Sequence, residues 1–272
     1  MAIALIIFCI VGWVVYRYKQ EVQVGYRYAG RKVAPVKTWV LPVPQLYKDI
    51  LQKYSRYYQR LSPSDKSKFE RKVCNFLYSK RFIPRNMDSV SIEARVLIAA
   101  SAVQLTFGLP SIYLQHFDKI LVYPNEYYSS ITRKYHKGEV NPRFGIIVLS
   151  WNHVAEGHTR NNGALNLGLH EMAHALRLEN IIRKEEYKFF DETLVRRMDD
   201  FAARICMDPS GHGNFFRPYA CTNEHEFFSV AIENFFERSE LFQKQLPELY
   251  AILTRLLGQD PLKLEAGVKL HG

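Results

Sequence analysis

His170, Glu171 and His174 stand in the order H-E-x-x-H inside the stretch LHEMAHAL. On an α-helix, positions i and i+4 lie one turn apart on the same face. Two imidazoles so placed can bind one Zn²⁺ at about 2.0–2.1 Å each. Glu171 is beside the first of them, where it can take a proton from a water held at the ion. The chemistry this implies is metal-assisted hydrolysis. Leu167, Leu169, Ala173, Leu176 and Leu178 frame the motif, so its helix is expected to be buried. A His-Glu-His set in apolar surroundings is costly without a partner. A chance histidine pair on a solvated helix does not suit that frame.

A catalytic zinc site needs a third protein ligand and an open fourth position. One known extension supplies a histidine six residues beyond the second, after a glycine. Here those positions hold Arg177 and Asn180, so the third ligand comes from elsewhere. The candidates are the acids of NEHEFFSVAIENFF, residues 223–236. Glu226, Ser229 and Glu233 fall at i, i+3 and i+7 and make one polar stripe. Phe228, Ile232, Phe235 and Phe236 make the rest of that helix apolar. Acids on such a helix need a reason for burial. A metal ligand, backed by a carboxylate that orients another ligand, supplies one. For Glu233 the competing reading is a surface acid paired with an arginine. His225 points about 100° away from Glu226 and is the weaker ligand. A hydrolytic site also needs a donor for the developing oxyanion. Tyr219, at the end of a proline-containing loop just before this helix, is the candidate, with a merely packed tyrosine as the alternative.

Other elements must hold these residues in place. Gln45–Leu61 has helical spacing, with Leu46, Ile50, Leu51, Tyr54 and Tyr58 on one side. Ser62-Pro63-Ser64-Asp65 reads as an N-cap, a proline at the first helical position and an acid in the first turn. The helix it starts is expected to reach Ser79 and to bury Phe69, Val73, Phe76 and Leu77. A third helix is expected from Ser91 to the Gly108/Pro110 stop. Ile120–Tyr123 and Gly145–Trp151 are β-rich runs, and the second is expected to be the edge that receives an extended peptide. A loop at Glu156–Gly163 then precedes the H-E-x-x-H helix, Ala164–Glu179. Further helices are expected at Glu185–Met207, Asn223–Arg238 and Leu246–Leu257, with a loop at Asp208–Pro218. The pattern is α+β: mainly helices, with a small sheet.

The chain has 272 residues, of which 47% are apolar and 24% charged. Both fractions suit a folded chain and exclude wholesale disorder or a polytopic membrane protein. Cys9, Cys74, Cys206 and Cys221 form no CxxC pair. A disulfide scaffold and a cysteine zinc finger are excluded, and the usage suits a reducing compartment, although four thiols can also make two disulfides. The net charge of +10 is uneven. Residues 17–85 hold 17 Lys/Arg against 4 Asp/Glu, while residues 86–272 hold 20 against 23. No nucleic-acid recognition motif accompanies the basic segment, and no nucleic-acid partner is expected. Residues 1–16 carry no charge, end in Trp13 and Tyr16, and are followed by Arg17 and Lys19. That order predicts an uncleaved, single-pass membrane anchor over 1–19, with the remainder on the cytoplasmic side. Residues 20–44 then read as a basic, proline-containing connector.

The motifs together resemble the Mlc titration factor A family of zinc-dependent peptidases. The resemblance rests on LHEMAHAL, on YACTNEHEFFSVAIENFFERSELFQ, on ILVYP and IIVLSW before the zinc helix, on LSPSDKSKFERKVCNFLYSKRF upstream, and on QDP near Asp260. It covers about Gln45 to Leu262. It implies a zincin-like metallopeptidase core over 45–272, with a helical part at 45–110 and a catalytic part at 111–262. It further implies His170, His174 and Glu226 as zinc ligands and Glu171 as catalytic base. Arg177 departs from the pattern, because the family usually has an acid there. The implied function is a membrane-anchored zinc peptidase acting on a peptide or protein substrate. The alternative is a zinc-containing module that sequesters a cytoplasmic transcriptional regulator.

Overall fold

The computed structural model describes residues 27–28, 31–32, 42–110, 114–129, 133–159, 165–182, 189–207 and 215–266. A two-residue hairpin, β1 (Arg27–Tyr28) and β2 (Arg31–Lys32), comes first. The first expected helix is two helices, α1 (Gln45–Tyr54) and α2 (Arg56–Gln59). The break is Ser55, whose extended backbone lets its hydroxyl accept the Tyr58 N–H at 3.3 Å, an N-cap inside an otherwise helical pattern. Helix α3 (Pro63–Ser79) starts as its sequence predicts: Ser62 Oγ accepts the Asp65 N–H at 3.2 Å. Phe69, Val73 and Phe76 are buried in it, and Leu77 is half-buried. Strand β3 (Arg81–Pro84) follows, then α4 (Ile92–Thr106), capped by Ser91.

Helix α4 is apolar on nearly every side, and every residue from Val96 to Thr106 is buried. A helix of that composition belongs at the centre of a fold rather than on its surface. One apolar core runs from Ile50 to Leu257 around it.

Strands β4 (Lys119–Tyr123), β5 (Tyr127–Ser129), β6 (Lys134–His136), β7 (Gly138–Asn141) and β8 (Ile146–Ser150) come next. The main sheet has the order β3-β4-β8-β7. β3, β4 and β8 are parallel, with Phe82 opposite Ile120 and Ile120 opposite Ile147. β7 is antiparallel to β8, with Gly138 opposite Leu149. The expected edge strand is therefore corrected. β8 is paired on both sides, and among the described residues the edges of this sheet are β3 and β7, of which β7 is the neighbour of β8. β8 is the better interior strand because Ile147, Val148 and Leu149 need cover on both faces. The weakly apolar GEVN of β7 does not.

Helix α5 (Trp151–Thr159) follows β8 at once, so the first part of the expected Glu156–Gly163 loop is helical. Val154, buried completely, anchors it to the core. The remaining helices are α6 (Leu167–Ile182), α7 (Glu192–Met207), α8 (Glu224–Glu237), α9 (Ser239–Gln245) and α10 (Pro247–Leu257). A short 3₁₀ helix, Pro218–Thr222, precedes α8, and another, Pro261–Ala266, follows α10. The fold is thus mainly helical α+β with a small sheet. The expectation of a single-pass membrane protein is corrected. No helix among the described residues is long and apolar enough to cross a membrane, and the stretch 1–19 lies outside them.

Candidate functional site

Helix α6 carries the H-E-x-x-H motif and packs along α8. Asn166 starts α6: its Oδ1 accepts the Leu169 N–H at 3.1 Å. Asn223 starts α8 in the same way, accepting the Glu226 N–H at 3.0 Å. These two caps set the register in which the polar residues of the helices meet. Leu169, Met172, Ala173 and Leu176 are completely buried on α6, and Phe235, Ala231 and Ile232 on α8. The apolar contact therefore surrounds the polar cluster.

His170 Nε2 and His174 Nε2 are 3.1 Å apart. Glu226 Oε2 lies 3.2 Å from the first and 3.3 Å from the second. A tetrahedral ion bound at about 2.0–2.1 Å has ligand atoms roughly 3.3 Å from one another, so the three atoms are spaced to hold a metal. Their chemistry agrees. His170 Nδ1 donates to Glu233 Oε1 at 2.7 Å, so Nε2 is the nitrogen that faces the cluster and would ligate an ion once its own proton is lost. Glu226 Oε2 is buried with the two imidazole nitrogens as its near neighbours, a position in which a cation could take the place of the imidazole protons. Burial alone raises the Glu226 carboxyl, but the two imidazoles and the Tyr219 hydroxyl outweigh it and hold it well below the usual range. Burial alone lowers His170, but Glu226 and Glu233 raise it to about 10. The geometry brings His170, His174 and Glu226 together and leaves His225 outside the set.

Glu171 is buried against the edge strand, and burial raises its carboxyl above the ordinary value. The approach is close: a Cβ on Gly138 of β7 would lie 2.5 Å from Glu171 Oε1. Glu233 is not the surface acid of the competing reading. It is 1% exposed, and three donors satisfy it. Oε1 accepts from His170 Nδ1 and from Arg217 Nη2 at 2.6 Å, and Oε2 accepts from the Asn166 N–H at 2.8 Å. Tyr219 lies in the 3₁₀ turn, with its ring centre 6.2 Å from that of His170. The residue as a whole is 48% exposed, with its ring beside both His170 and the Arg217 guanidinium. Burial of its hydroxyl and a hydrogen bond to Glu226 raise its pKa well above the ordinary phenol value.

Arg177 is buried on α6 and reaches two other helices. It donates to Asp199 Oδ1 of α7 at 2.8 Å and lies 3.4 Å from Glu224 Oε2 of α8. Its guanidinium also sits 5.6 Å from the centre of the Phe228 ring. It thus joins the metal helix to both neighbours.

Three contributors escaped the sequence reading. Asn166 had a usable signal, an asparagine three residues before the first buried leucine of a helix. Arg217 and Gly138 had none, because their partners are distant in the chain. Cys206 and Cys221 form a disulfide between the end of α7 and the 3₁₀ turn. Cys74 is free and buried. The expectation of reduced cysteines is corrected for that pair, whose partners only the fold brings together.

Residues 31–257 match the profile of the family described as glucose-regulated metallo-peptidase M90. An uncharacterized protein of Synechocystis sp. is 28% identical over 240 residues, covering 81% of this chain and 86% of that one. Mlc titration factor A of Pectobacterium atrosepticum is 26% identical over 222 residues, covering 74% and 82%. Mlc titration factor A of Yersinia pestis is 26% identical over 211 residues, covering 68% and 74%. The converging His170, His174 and Glu226 thus lie within the stretch that the family profile matches, and the chain is a member of the glucose-regulated metallo-peptidase M90 family.

Proposed function

We propose that this protein is a zinc-dependent peptidase. The observation that carries the reading is the convergence of two imidazole nitrogens and one carboxylate oxygen at 3.1–3.3 Å separations, beside a buried carboxylate. His170, His174 and Glu226 would hold the ion. A bound zinc ion supplies Lewis acidity, which lowers the pKa of water and polarises a carbonyl. Glu171 takes the proton of the attacking water and passes it to the leaving amine. Burial, which raises its carboxyl, suits a group that must hold that proton between the two steps. Tyr219 donates to the oxyanion from the far side of the cluster. Glu233 fixes the tautomer and orientation of His170. An extended substrate adds to the free side of β7, whose Gly138 is against Glu171.

The test compares the full chain with Glu171→Gln, loaded with zinc, on a library of unstructured peptides. One zinc in each and cleavage by the wild type alone is the expected result. Full turnover by Glu171→Gln at equal zinc content would remove Glu171 from the mechanism. The relatives' name, Mlc titration factor A, favours one second reading, a module that sequesters a transcriptional regulator. In that case a regulator binds wild type and Glu171→Gln alike, and neither cleaves.

A further inference from the structure

We propose that Cys206–Cys221 is a thiol-exchange site that sets the position of Tyr219 over the metal cluster. The inference deepens the peptidase reading and rests on the role given there to Tyr219. It starts from how the 3₁₀ turn is held. The beginning of this segment is well fixed: Phe215 is buried, its carbonyl accepts from Arg238 Nη2 at 2.9 Å, and Arg217 binds Glu233. Beyond Arg217 the turn is different. Pro218, Tyr219, Cys221 and Thr222 are exposed, and Ala220 alone is buried. A segment with one small buried side chain has low local stability. Its covalent hold is the bond from Cys221 to Cys206, two residues past Tyr219.

The far end of that bond is in the last turn of α7. Cys206 is half-buried against the core on α7, with Phe201, Ala202 and Ile205 buried beside it. The same helix is tied to the metal helix through Asp199 and Arg177. The disulfide therefore ties Tyr219 to the helix that also braces His170 and His174. Cys221 lies at the surface, so a small dithiol can reach the bond. One thiolate of the dithiol attacks a sulfur of the pair, most accessibly that of Cys221. The S–S bond breaks, and Cys206 leaves as a thiolate that takes up a proton. The second thiol of the dithiol then displaces Cys221 and closes a disulfide within the reductant. Two electrons pass from the dithiol to the protein. The turn is then held by noncovalent contacts alone, namely Ala220, the Asn223 cap and the hydrogen bond of Tyr219 to Glu226, and the Tyr219 hydroxyl samples positions away from Glu226 more often. The metal ligands themselves stay in place, because none of them is on the freed segment.

The experiment uses the full zinc-loaded chain in a zinc-buffered solution, before and after treatment with dithiothreitol and after reoxidation. The Cys206→Ser/Cys221→Ser variant is carried alongside, which separates bond reduction from any removal of metal by the reagent. Non-reducing peptide mapping is expected to find Cys206 joined to Cys221. Reduction is expected to lower kcat roughly tenfold, less than the ~10²-fold that follows outright removal of an oxyanion donor, with zinc content unchanged. Reoxidation restores the rate, the serine variant stays at the lower rate with or without reductant, and Tyr219→Phe costs much less in the reduced protein than in the oxidised one. Amide exchange within 218–222 speeds up on reduction while that of α6 and α8 does not. Absence of the bond, or equal kcat and equal exchange in the two redox states, overturns the proposal. Should neither state cleave peptides, the peptidase reading fails by itself. The exchange data then decide alone: faster exchange confined to 218–222 upholds the tether, and unchanged exchange rejects it.

Discussion

His170 presents its two ring nitrogens to two different carboxylates of one helix. Nδ1 lies 2.7 Å from Glu233 Oε1, and Nε2 lies 3.2 Å from Glu226 Oε2. Glu226 and Glu233 are seven residues apart on α8, two turns along the same face. One carboxylate therefore shares the metal position with the imidazole, while the other holds the imidazole from behind. The Arg217 guanidinium and the Asn166 N–H both donate to that rear carboxylate in its buried place.

Glu233→Gln should weaken zinc binding by roughly 10–100-fold, the usual consequence of losing a carboxylate behind a ligating histidine. The amide still fills the space, but its NH2 cannot accept, so at least one of the three donors is left unanswered and Arg217 loses its charge partner. Competition against a chromogenic chelator measures the change. An unaltered zinc affinity would mean that the His170–Glu233 contact serves packing alone.

Metal uptake should expel a proton. Burial acts to lower His170, yet Glu226 and Glu233 raise its metal-free pKa to about 10. The imidazolium is therefore retained up to that pH, and a ligating Nε2 must be bare. Between about pH 7 and pH 9, binding should release about one proton from this site, and apparent affinity should rise with pH. Calorimetry in two buffers of different ionisation enthalpy gives the number directly. A slope of zero would contradict the assignment.

Gly138→Ala should slow catalysis while sparing the metal. The added methyl would meet Glu171 Oε1 at 2.5 Å, so either β7 retreats or the carboxylate turns. A shift of that size at a catalytic group costs on the order of 10²-fold in turnover. Zinc content and secondary structure should be unchanged. A variant with normal kcat would show that the edge strand yields freely and does not position Glu171.

His158 should make the fold sensitive to mild acid. It is buried beneath α4, where Nε2 lies 3.2 Å from Ser101 Oγ and 3.1 Å from the Leu97 carbonyl. Burial pushes its pKa down to about 4 from an ordinary value of 6.5. A histidine with a depressed folded pKa takes up its proton more readily in the unfolded chain. Its contribution is thus fully present above about pH 6.5 and is lost as pH falls toward 4. The loss approaches about 3 kcal/mol. Urea unfolding at pH 7.5 and 4.5 should show a smaller drop for His158→Gln than for the wild type.

The sequence by itself determined whatever depends on neighbours a few residues apart. The H-E-x-x-H spacing puts both imidazoles on one helical face. The i and i+7 spacing of Glu226 and Glu233 puts both acids on another. Ser62, Ser91 and Asn223 mark helix starts that the structure repeats. Each of these is set by the 3.6-residue turn and by local capping. The tertiary structure decided what depends on distance across the fold. It selected β7 rather than β8 as the edge, because strand order follows from which faces can be covered and not from any one strand's composition. It brought Gly138 against Glu171, Arg217 and Asn166 against Glu233, and Cys206 against Cys221. Such contacts arise only when helices and strands pack, and no periodicity within a single element encodes them.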